Sequence, residues 1–236
     1  MLLFATNGRF YTLAADRLPG GRGFGEPVRL MVDLGNDHEP VALFVHRPGR
    51  LLLVAASDGR GFFVSEDDAV AQTRTGRQVL NVAQGAEAAV CVEAAGDTVA
   101  VVGSNRRLLL FPAAEVPTMA RGRGVILQRF RDAALSDAQV FDGAEGLRWR
   151  SGAGVRTETA LDQWRGKRGQ AGRAAPRGFP GRQPLSLTVR KQAVVPTCQN
   201  AALAPTRKTS ACALPMVRKS AAARPTHNAT SKSPRP

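Results

Sequence analysis

The sequence predicts an all-β, propeller-like array of about four repeats, and three observations support this prediction. Two apolar strands joined by a short tip recur four times along the chain, and a basic segment with glycine follows each pair. The 236 residues include 24 Gly and 15 Pro but only 6% aromatic residues, which is typical of many short elements joined by turns. About four short strands in every ~48 residues is the pattern of stacked blades.

The four predicted hairpins share a first apolar strand, a tip of small polar residues or glycine with Arg, and a second strand. Asn7-Gly8 in the first tip and Asp58-Gly59 in the second tolerate the positive φ that tight hairpin turns require. The fourth hairpin carries the pattern more weakly. The hairpins span residues 2–11, 51–64, 98–111 and 147–158.

Each hairpin precedes a basic, glycine-containing segment, which we call a box. From one box arginine to the next, the steps are 52, 47 and 47 residues. A β-sandwich predicts no box that recurs in phase, so the spacing favours blades that bury each other's faces. Strands are also predicted after the first three boxes, at 28–34, 79–82 and 125–130, and later at 41–46 and 88–92. The boxes are Arg22–Gly25, Arg74–Arg77, Arg121–Gly124 and Lys167–Arg173.

The hairpin and box pattern stops near residue 180, which divides the chain into two predicted domains. Residues 1–180 hold repeats at about 1–50, 51–96, 97–146 and 147–180, of which the first and last can be incomplete. Residues 181–236 are predicted to be a disordered basic tail. Their Ala, Pro, Ser, Thr and basic residues bury too little apolar surface to offset the entropy of ordering.

The net charge of +14 is concentrated in the last third of the chain. Residues 1–162 contain 18 Lys and Arg against 19 Asp and Glu, whereas residues 163–236 contain 15 basic residues and no acidic ones. We therefore expect a polyanionic partner, with nucleic acid favoured over an anionic membrane. On the repeats, any basic surface has to come from how the residues are arranged.

No catalytic, metal or membrane motif is found in the sequence. The three cysteines have neither CxxC spacing nor a nearby histidine, and Cys91 is expected to be buried, as in a reducing compartment. His46 is expected to be structural, and the acidic run 66–68 to be a solvated turn. No segment approaches the ~18 apolar residues of a membrane span. The first residues, 1–5, predict a strand and not a signal peptide.

The boxes have the chemistry of phosphate contacts. Arginine grips phosphate oxygens with a planar fork, and adjacent glycine is expected to let the backbone approach with its N–H groups free. With one box per blade, the boxes are expected to line one rim along which a duplex can bend. Such contacts are salt-sensitive and carry no base information. A single box is more simply a solvated turn, but four in register favour phosphate binding.

Several stretches carry a resemblance to a known family. They are FATNGRFY (Phe4–Tyr11), AASDGRGF (Ala55–Phe62), RLMVDL (Arg29–Leu34), QVLNV (Gln78–Val82) and GVILQRF (Gly124–Phe130). Over about residues 1–180 the chain resembles the C-terminal domains of type IIA DNA topoisomerase A subunits, the topoisomerase IV branch more than the gyrase branch. No box matches the Gln-Arg-Arg-Gly-Gly-Lys-Gly box of gyrase, which argues against gyrase and against tight wrapping of DNA.

The resemblance implies a β-pinwheel that binds and bends double-stranded DNA and so assists decatenation and chromosome segregation. It implies no catalytic residue, metal or cofactor in this chain, since ATP and Mg²⁺ belong to other parts of the enzyme; Tyr11 is expected to be structural. The implied partners are DNA, the remainder of the A subunit, and the ATPase B subunit of the topoisomerase, with no small-molecule substrate. The implied location is the bacterial cytoplasm, at the nucleoid, with peripheral membrane association left open. By analogy, the DNA-binding residues are Arg22, Arg74, Arg77, Arg121, Arg123, Arg129, Lys167, Arg168 and Arg173.

Three alternatives stay open at this point. The chain can be a gyrase A C-terminal domain, the nearest member of the same class. It can be a propeller-like protein-interaction module, which predicts exposed aromatic residues and weak salt dependence of binding. Finally, the basic tail can be the only nucleic-acid-binding element, an alternative that the near-zero charge of residues 1–162 favours.

Overall fold

The structure, a computed structural model, describes residues 1–18, 26–151, 154–176 and 179. These residues all belong to one unit of the chain, Met1–Pro196. The predicted tail, 181–236, and the predicted first box, Arg22–Gly25, lie outside the described residues.

Within the described residues the chain forms fourteen strands, two single-turn α-helices and three 3-10 turns. Helix α1 is Val28–Met31 and helix α2 is Glu66–Ala69, and the 3-10 turns lie at Ala15–Arg17, Ala113–Glu115 and Asp162–Trp164. The all-β prediction is therefore confirmed. The strands are β1 (Leu2–Ala5), β2 (Arg9–Thr12), β3 (Pro40–Phe44), β4 (Leu51–Ala56), β5 (Arg60–Ser65), β6 (Arg77–Gln78), β7 (Ala88–Glu93), β8 (Thr98–Gly103), β9 (Arg107–Pro112), β10 (Val125–Ile126), β11 (Leu135–Phe141), β12 (Leu147–Ser151), β13 (Gly154–Glu158) and β14 (Arg173–Ala174).

The strands pair into three antiparallel sheets of four strands and one two-stranded sheet, in the part of the chain that the structure describes. The four-stranded orders are β3-β1-β2-β6, β7-β4-β5-β10 and β11-β8-β9-β14, and the last sheet is β12-β13. We call the sheets blades 1 to 4. A predicted hairpin lies at the centre of each of the first three blades, and the strand beside its first strand comes from the same repeat.

The fourth strand of each full blade belongs to the following repeat. Strand β6 pairs with β2, β10 with β5 and β14 with β9. Each of these two-residue strands lies at the end of a box or directly after it. A box therefore completes the blade before its own, and this exchange of strands confirms the predicted β-pinwheel.

Side chains alternate between two neighbouring blades along the central strands. On β4, Leu52 and Val54 pack with blade 1, whereas Leu53 and Ala55 pack with blade 3. Successive side chains of a strand point to opposite faces of the sheet, so this alternation shows that blade 2 is buried on both faces. A fully buried side chain of this size contributes about 1.5–3 kcal/mol. The hydrophobic core thus lies between the stacked blades.

Blade 4 has one apolar face and one polar face. Leu147 and Trp149 pack toward blade 3, and the Trp149 ring lies 5.2 Å from the ring of Phe179. The neighbouring residues of β12, Arg148 and Arg150, are exposed. A polar outer face is typical of the terminal unit in a stack of repeats.

Three predicted strands differ from the structure. Residues 28–34 were expected to form a strand but begin with helix α1, and Val32 and Leu34 pack on Leu3 and Tyr11 of their own repeat. The equivalent segments of later repeats pair with a preceding hairpin, and this segment has no such partner among the described residues. The strand predicted at 79–82 is not formed, since β6 ends at Gln78 and Leu80 makes only an isolated bridge to Gly122. The strand predicted at 125–130 shrinks to β10, which is two residues long.

The two edges of a full blade face different surroundings. Strand β7 packs against both β3 and β11, so one edge strand of each blade lies beside its equivalent in the next blade. The box strands β6, β10 and β14 form the opposite edges. The boxes therefore lie away from the line along which β3, β7 and β11 meet.

A buried carboxylate fixes the connection between the first two repeats. Glu66 is 0% exposed, and its carboxylate accepts hydrogen bonds from the backbone N–H of Arg47 (3.0 Å) and from Nε of Arg50 (2.5 Å), with Nδ1 of His46 at 3.2 Å. The bond to Glu66 raises the pKa of Arg50 above its ordinary value. The expectation of a solvated turn is therefore wrong for Glu66.

The structure also bears on the cysteine, metal and membrane features of the described residues. Cys91 is buried, as expected. Among the described residues no cluster of His, Cys, Asp and Glu is suited to hold a metal ion. The described part of the chain contains no helix that is both long and apolar enough to cross a membrane.

We predict that Glu66→Ala lowers the free energy of unfolding by about 3–5 kcal/mol, because it leaves the Arg50 guanidinium without its buried partner. Glu93 is the control, since it also faces Arg50, at 3.4 Å, but its side chain is 41% exposed. Glu93→Ala should cost no more than about 1 kcal/mol. Urea denaturation of both variants measures the difference, and equal losses would contradict the structural role of Glu66.

Candidate nucleic-acid interface

The tips of the first three hairpins share one backbone geometry. In each tip a side-chain oxygen accepts a hydrogen bond from the backbone N–H two residues later, which stabilises a tight turn. The residue between them has a positive φ, as in a three-residue hairpin loop. The bonds are Arg9 N–H to Asn7 (3.0 Å), Arg60 N–H to Asp58 (3.1 Å) and Arg107 N–H to Asn105 (3.1 Å).

The carbonyl of the positive-φ residue in each tip accepts a hydrogen bond from the next repeat. The carbonyl of Gly8 accepts a hydrogen bond from the N–H of Leu80 (3.0 Å), and that of Gly59 accepts one from Leu127 (2.8 Å). In the third tip the same position is Arg106, with φ 59°, and its carbonyl accepts from Ala175 at 2.9 Å. The segment that follows each of the second to fourth boxes is therefore fastened to the hairpin tip of the preceding blade.

One glycine in each of the second to fourth boxes makes this docking possible. Gly76, Gly124 and Gly172 have φ values of 72°, 75° and 74° and follow one another at steps of 48 residues. A Cβ at these positions would lie 2.5–2.7 Å from a backbone oxygen of the preceding blade. The box glycine is thus required both by its φ and by the closeness of the neighbouring strand.

The expectation that box glycines leave their N–H groups free is wrong at three positions. The N–H of Gly122 donates to Val79 (3.0 Å), that of Gly169 to Leu127 (2.8 Å) and that of Gly76 to Thr73 (3.1 Å). These donors hold the fold together, so any contact with an anion there has to come from side chains.

The boxes are joined to one another in a continuous row. The N–H of Asn81, just after the second box, donates to Gly122 of the third (2.7 Å). In the same way, Arg129 donates its N–H to Gln170 of the fourth box at 3.2 Å. We call this row the box rim. It consists of the three hairpin tips, the boxes 74–77, 121–124 and 167–173, and Arg129.

Most of the predicted DNA-binding residues are exposed on the box rim. Five of them make no side-chain hydrogen bond or ion pair within the described residues, so their charges face solvent. They are contributed by three successive boxes and by the segment after the third box. These five residues are Arg77, Arg121, Arg129, Lys167 and Arg173.

The other predicted residues are engaged in contacts or lie elsewhere. Arg74 is exposed but donates to the Leu30 carbonyl at 2.6 Å, and Arg123 lies 3.5 Å from Asp58. Arg168 is half-buried: its Nη1 donates to the carbonyl of Ile126 at 2.8 Å, which indicates a structural role. Arg22 lies outside the described residues.

Three further arginines belong to the box rim but were not among the predicted site residues. Arg9, Arg60 and Arg107 occupy the same position in the first three tips, directly after the positive-φ residue. Nη1 of Arg9 donates to Thr75 of the second box (2.9 Å), and Nη1 of Arg107 donates to Gly172 of the fourth (3.2 Å). Their shared place in the Asn/Asp-x-Arg tips was a signal in the sequence.

Comparison with known proteins agrees with this architecture. The chain is 42% identical over 180 residues to the A subunit of DNA topoisomerase 4 from Rickettsia bellii, and equally to that from Caulobacter vibrioides. The chain resembles the A subunit of topoisomerase IV. The alignments cover 76% of this chain and 24% of each relative, so the chain spans about a quarter of the length of these relatives. No protein-family model matches the chain.

Solved structures share the fold. The C-terminal domain of E. coli ParC aligns with a TM-score of 0.65 at 23% identity, over 76% of this chain and 77% of that one. A C-terminal domain of DNA topoisomerase IV aligns with a TM-score of 0.62 at 15% identity, over 73% and 57%. A DNA gyrase A C-terminal domain aligns at 0.54 and 14%, over 72% and 58%. The suspected resemblance is confirmed in sequence for topoisomerase IV and in fold for both enzymes.

We predict that Gly124→Ala destabilises the protein much more than Gly85→Ala. Both glycines have nearly the same φ, 75° and 76°, so both substitutions should cost about 1–2 kcal/mol for the left-handed backbone. At Gly85 a Cβ meets nothing within 4 Å, whereas at Gly124 it would lie 2.5 Å from the Gly61 carbonyl oxygen. We expect a further loss of about 1–3 kcal/mol for Gly124→Ala. Thermal unfolding measures both, and equal losses would refute docking through the box glycine.

Proposed function

We propose that this chain is a non-catalytic domain of the topoisomerase IV A subunit that binds and bends duplex DNA along the box rim. The observation that carries the proposal is a continuous row of exposed basic side chains on successive blades, five of them without a partner in the described residues. Arginine and lysine side chains neutralise phosphates, and displaced counterions drive the binding. The binding is therefore steeply salt-dependent and independent of sequence.

The arrangement also suits bending of the duplex. The boxes present their charges one blade after another, so a duplex that follows them gains contacts that a straight duplex would not reach. Bending 20–30 base pairs smoothly costs about 1–6 kcal/mol, which several phosphate contacts offset. Because no box carries the gyrase motif, we propose moderate bending and not tight wrapping.

The exposed apolar residues favour DNA over a protein partner at the rim. In the described part of the chain the large exposed hydrophobic residues are Leu30, Leu43, Val45, Leu51 and Val155. None is aromatic and none belongs to the box rim. A protein-interaction rim would instead be expected to present aromatic anchors.

The remaining parts of the enzyme supply the chemistry in this proposal. Tyr11 is 1% exposed and its hydroxyl accepts a hydrogen bond from Asn7 at 2.8 Å, which supports a structural role. We therefore assign strand cleavage, ATP and Mg²⁺ to the rest of the A subunit, together with the B subunit. In this role the chain serves decatenation and chromosome segregation at the bacterial nucleoid.

The predicted basic tail offers a competing source of DNA affinity, so the test has to separate it from the rim. Three variants of the full chain each lose three charges. The rim variant is R77A/R121A/R129A, and the blade 4 control is R148A/R150A/R156A, which removes exposed arginines outside the box rim. The tail variant is R190A/K191A/R207A.

We predict that the rim variant lowers the slope of log K against log salt for duplex DNA by about two to three, near one unit per lost phosphate contact. The blade 4 control should lower it by less than one, because its arginines lie outside the row. Fluorescence anisotropy between 50 and 300 mM salt, roughly the range where such slopes are measured, gives the three values. If only the tail variant changes the slope, the repeats are a scaffold and the proposal fails.

A further inference from the structure

An open groove lies at the tip of the third hairpin, between blade 3 and the fourth box. It is lined by Asn105, Arg106 and Arg107 from the tip and by Arg173 from the box, and none of the described residues that line it carries a carboxylate. All three arginines are exposed. Three positive charges around one groove, with no carboxylate in its described lining, form a concentrated site for a phosphate group.

The equivalent positions of the other blades are less basic. Strand pairing and backbone geometry define five matched positions: the capping residue, the positive-φ residue, the tip arginine, the residue before the box glycine and the residue after it. Their formal charges total +2 in blade 1, +1 in blade 2 and +3 in blade 3. The residues are Asn7, Gly8, Arg9, Thr75 and Arg77; Asp58, Gly59, Arg60, Arg123 and Val125; and Asn105, Arg106, Arg107, Ala171 and Arg173.

Blade 3 gains its additional charge at a strained position. Blades 1 and 2 place glycine where the tip needs a positive φ, whereas blade 3 places Arg106 there at φ 59°. A side chain in this region is disfavoured relative to glycine. Strain of this kind is found where a residue serves a function that stability alone does not favour.

Hydrogen bonds hold two of these arginines over the groove without consuming all their donors. Nη2 of Arg106 donates to the carbonyl of Phe179 (3.0 Å), and Nη1 of Arg107 donates to that of Gly172 (3.2 Å). Each guanidinium has five N–H donors, so most remain available. Arg173 makes no side-chain hydrogen bond within the described residues, and all its donors face solvent.

We propose that this groove, formed by Arg106, Arg107 and Arg173, is the strongest phosphate-binding position of the box rim and anchors the DNA backbone at blade 3. The inference rests on the proposed function and adds to it the order in which the blades contact the DNA. The duplex engages blade 3 first and most tightly, and it engages blades 1 and 2 as it bends.

The experiment compares matched pairs of arginines in the full chain with a 30-base-pair duplex probe, about the length that bending estimates use. R107A/R173A removes the pair from blade 3, and R9A/R77A removes the equivalent pair from blade 1. The two variants are matched in position, because Arg9 and Arg107 each donate to a backbone oxygen of the following box; Arg9 also donates to Gln78 at 2.9 Å. We expect R107A/R173A to bind the duplex about tenfold more weakly than R9A/R77A at equal salt. R9A/R77A should melt no higher than R107A/R173A, because it also loses the Arg9–Gln78 bond, so lower stability cannot explain the weaker binding of R107A/R173A.

A third variant, R106G, restores the residue used in blades 1 and 2. We expect it to melt no lower than the parent chain, since the strained backbone is relieved, and to lower the salt slope by about one. A purely structural role for Arg106 would lower the melting temperature and leave the slope intact.

Equal weakening by R107A/R173A and R9A/R77A would overturn the anchor at blade 3 while leaving DNA binding by the rim in place. If the slope of log K against log salt is unchanged in both variants and also in R77A/R121A/R129A, the proposed function itself is overturned. Selective loss of affinity in R107A/R173A and R106G supports the inference.

Discussion

The architecture depends on a two-residue strand in each repeat that pairs with the blade of the repeat before it. Strands β6, β10 and β14 complete blades whose hairpins lie one repeat earlier in the chain. This contact is close because the box glycine has no side chain; in the third box a Cβ at Gly124 would lie 2.5 Å from the neighbouring carbonyl oxygen. Neighbouring repeats are therefore linked by backbone hydrogen bonds as well as by the apolar faces that they bury between them.

The same strand exchange determines where the basic side chains of the boxes lie. Each described box is held at the edge of the preceding blade, beside the hairpin tip, and the N–H groups of Gly76, Gly122 and Gly169 donate to carbonyl groups within the fold. The arginines that flank the box glycine then have no apolar surface to cover, so they extend into solvent. The backbone of a box is thus structural, whereas its side chains are available for binding. In this way repeats with almost no net charge present a row of basic side chains.

The hairpins could be predicted from the sequence because their determinants are local. Asn7-Gly8 and Asp58-Gly59 specify the turns, and the continuous apolar runs on either side specify strands buried on both faces. The strand exchange could not be predicted from the repeat period, because a period does not say which blade accepts a segment; the β-pinwheel was expected only through the family resemblance. The box arginines gave irregular steps of 52, 47 and 47 residues, whereas the box glycines that fix the geometry recur at steps of 48.

The candidate site was predicted less completely than the fold. The boxes were identified as basic segments, but sequence does not reveal where a guanidinium points, and Arg168 donates to a backbone carbonyl within the fold. The tip arginines Arg9, Arg60 and Arg107 were not among the predicted site residues, because the sequence of a hairpin tip does not show which other segments lie beside it. Their shared Asn/Asp-x-Arg position is visible in the sequence, but only the strand pairing shows that these tips lie beside the boxes.

The central claim is that DNA contacts the box rim, and arginine footprinting of the unmodified chain tests it most directly. An arginine-selective dicarbonyl reagent labels exposed guanidinium groups, and mass spectrometry compares labelling with and without duplex at low and high salt. The account predicts that duplex protects Arg77, Arg121, Arg129 and Arg173 at low salt only, while Arg148 and Arg150 stay reactive. Protection confined to arginines beyond residue 181 would contradict it.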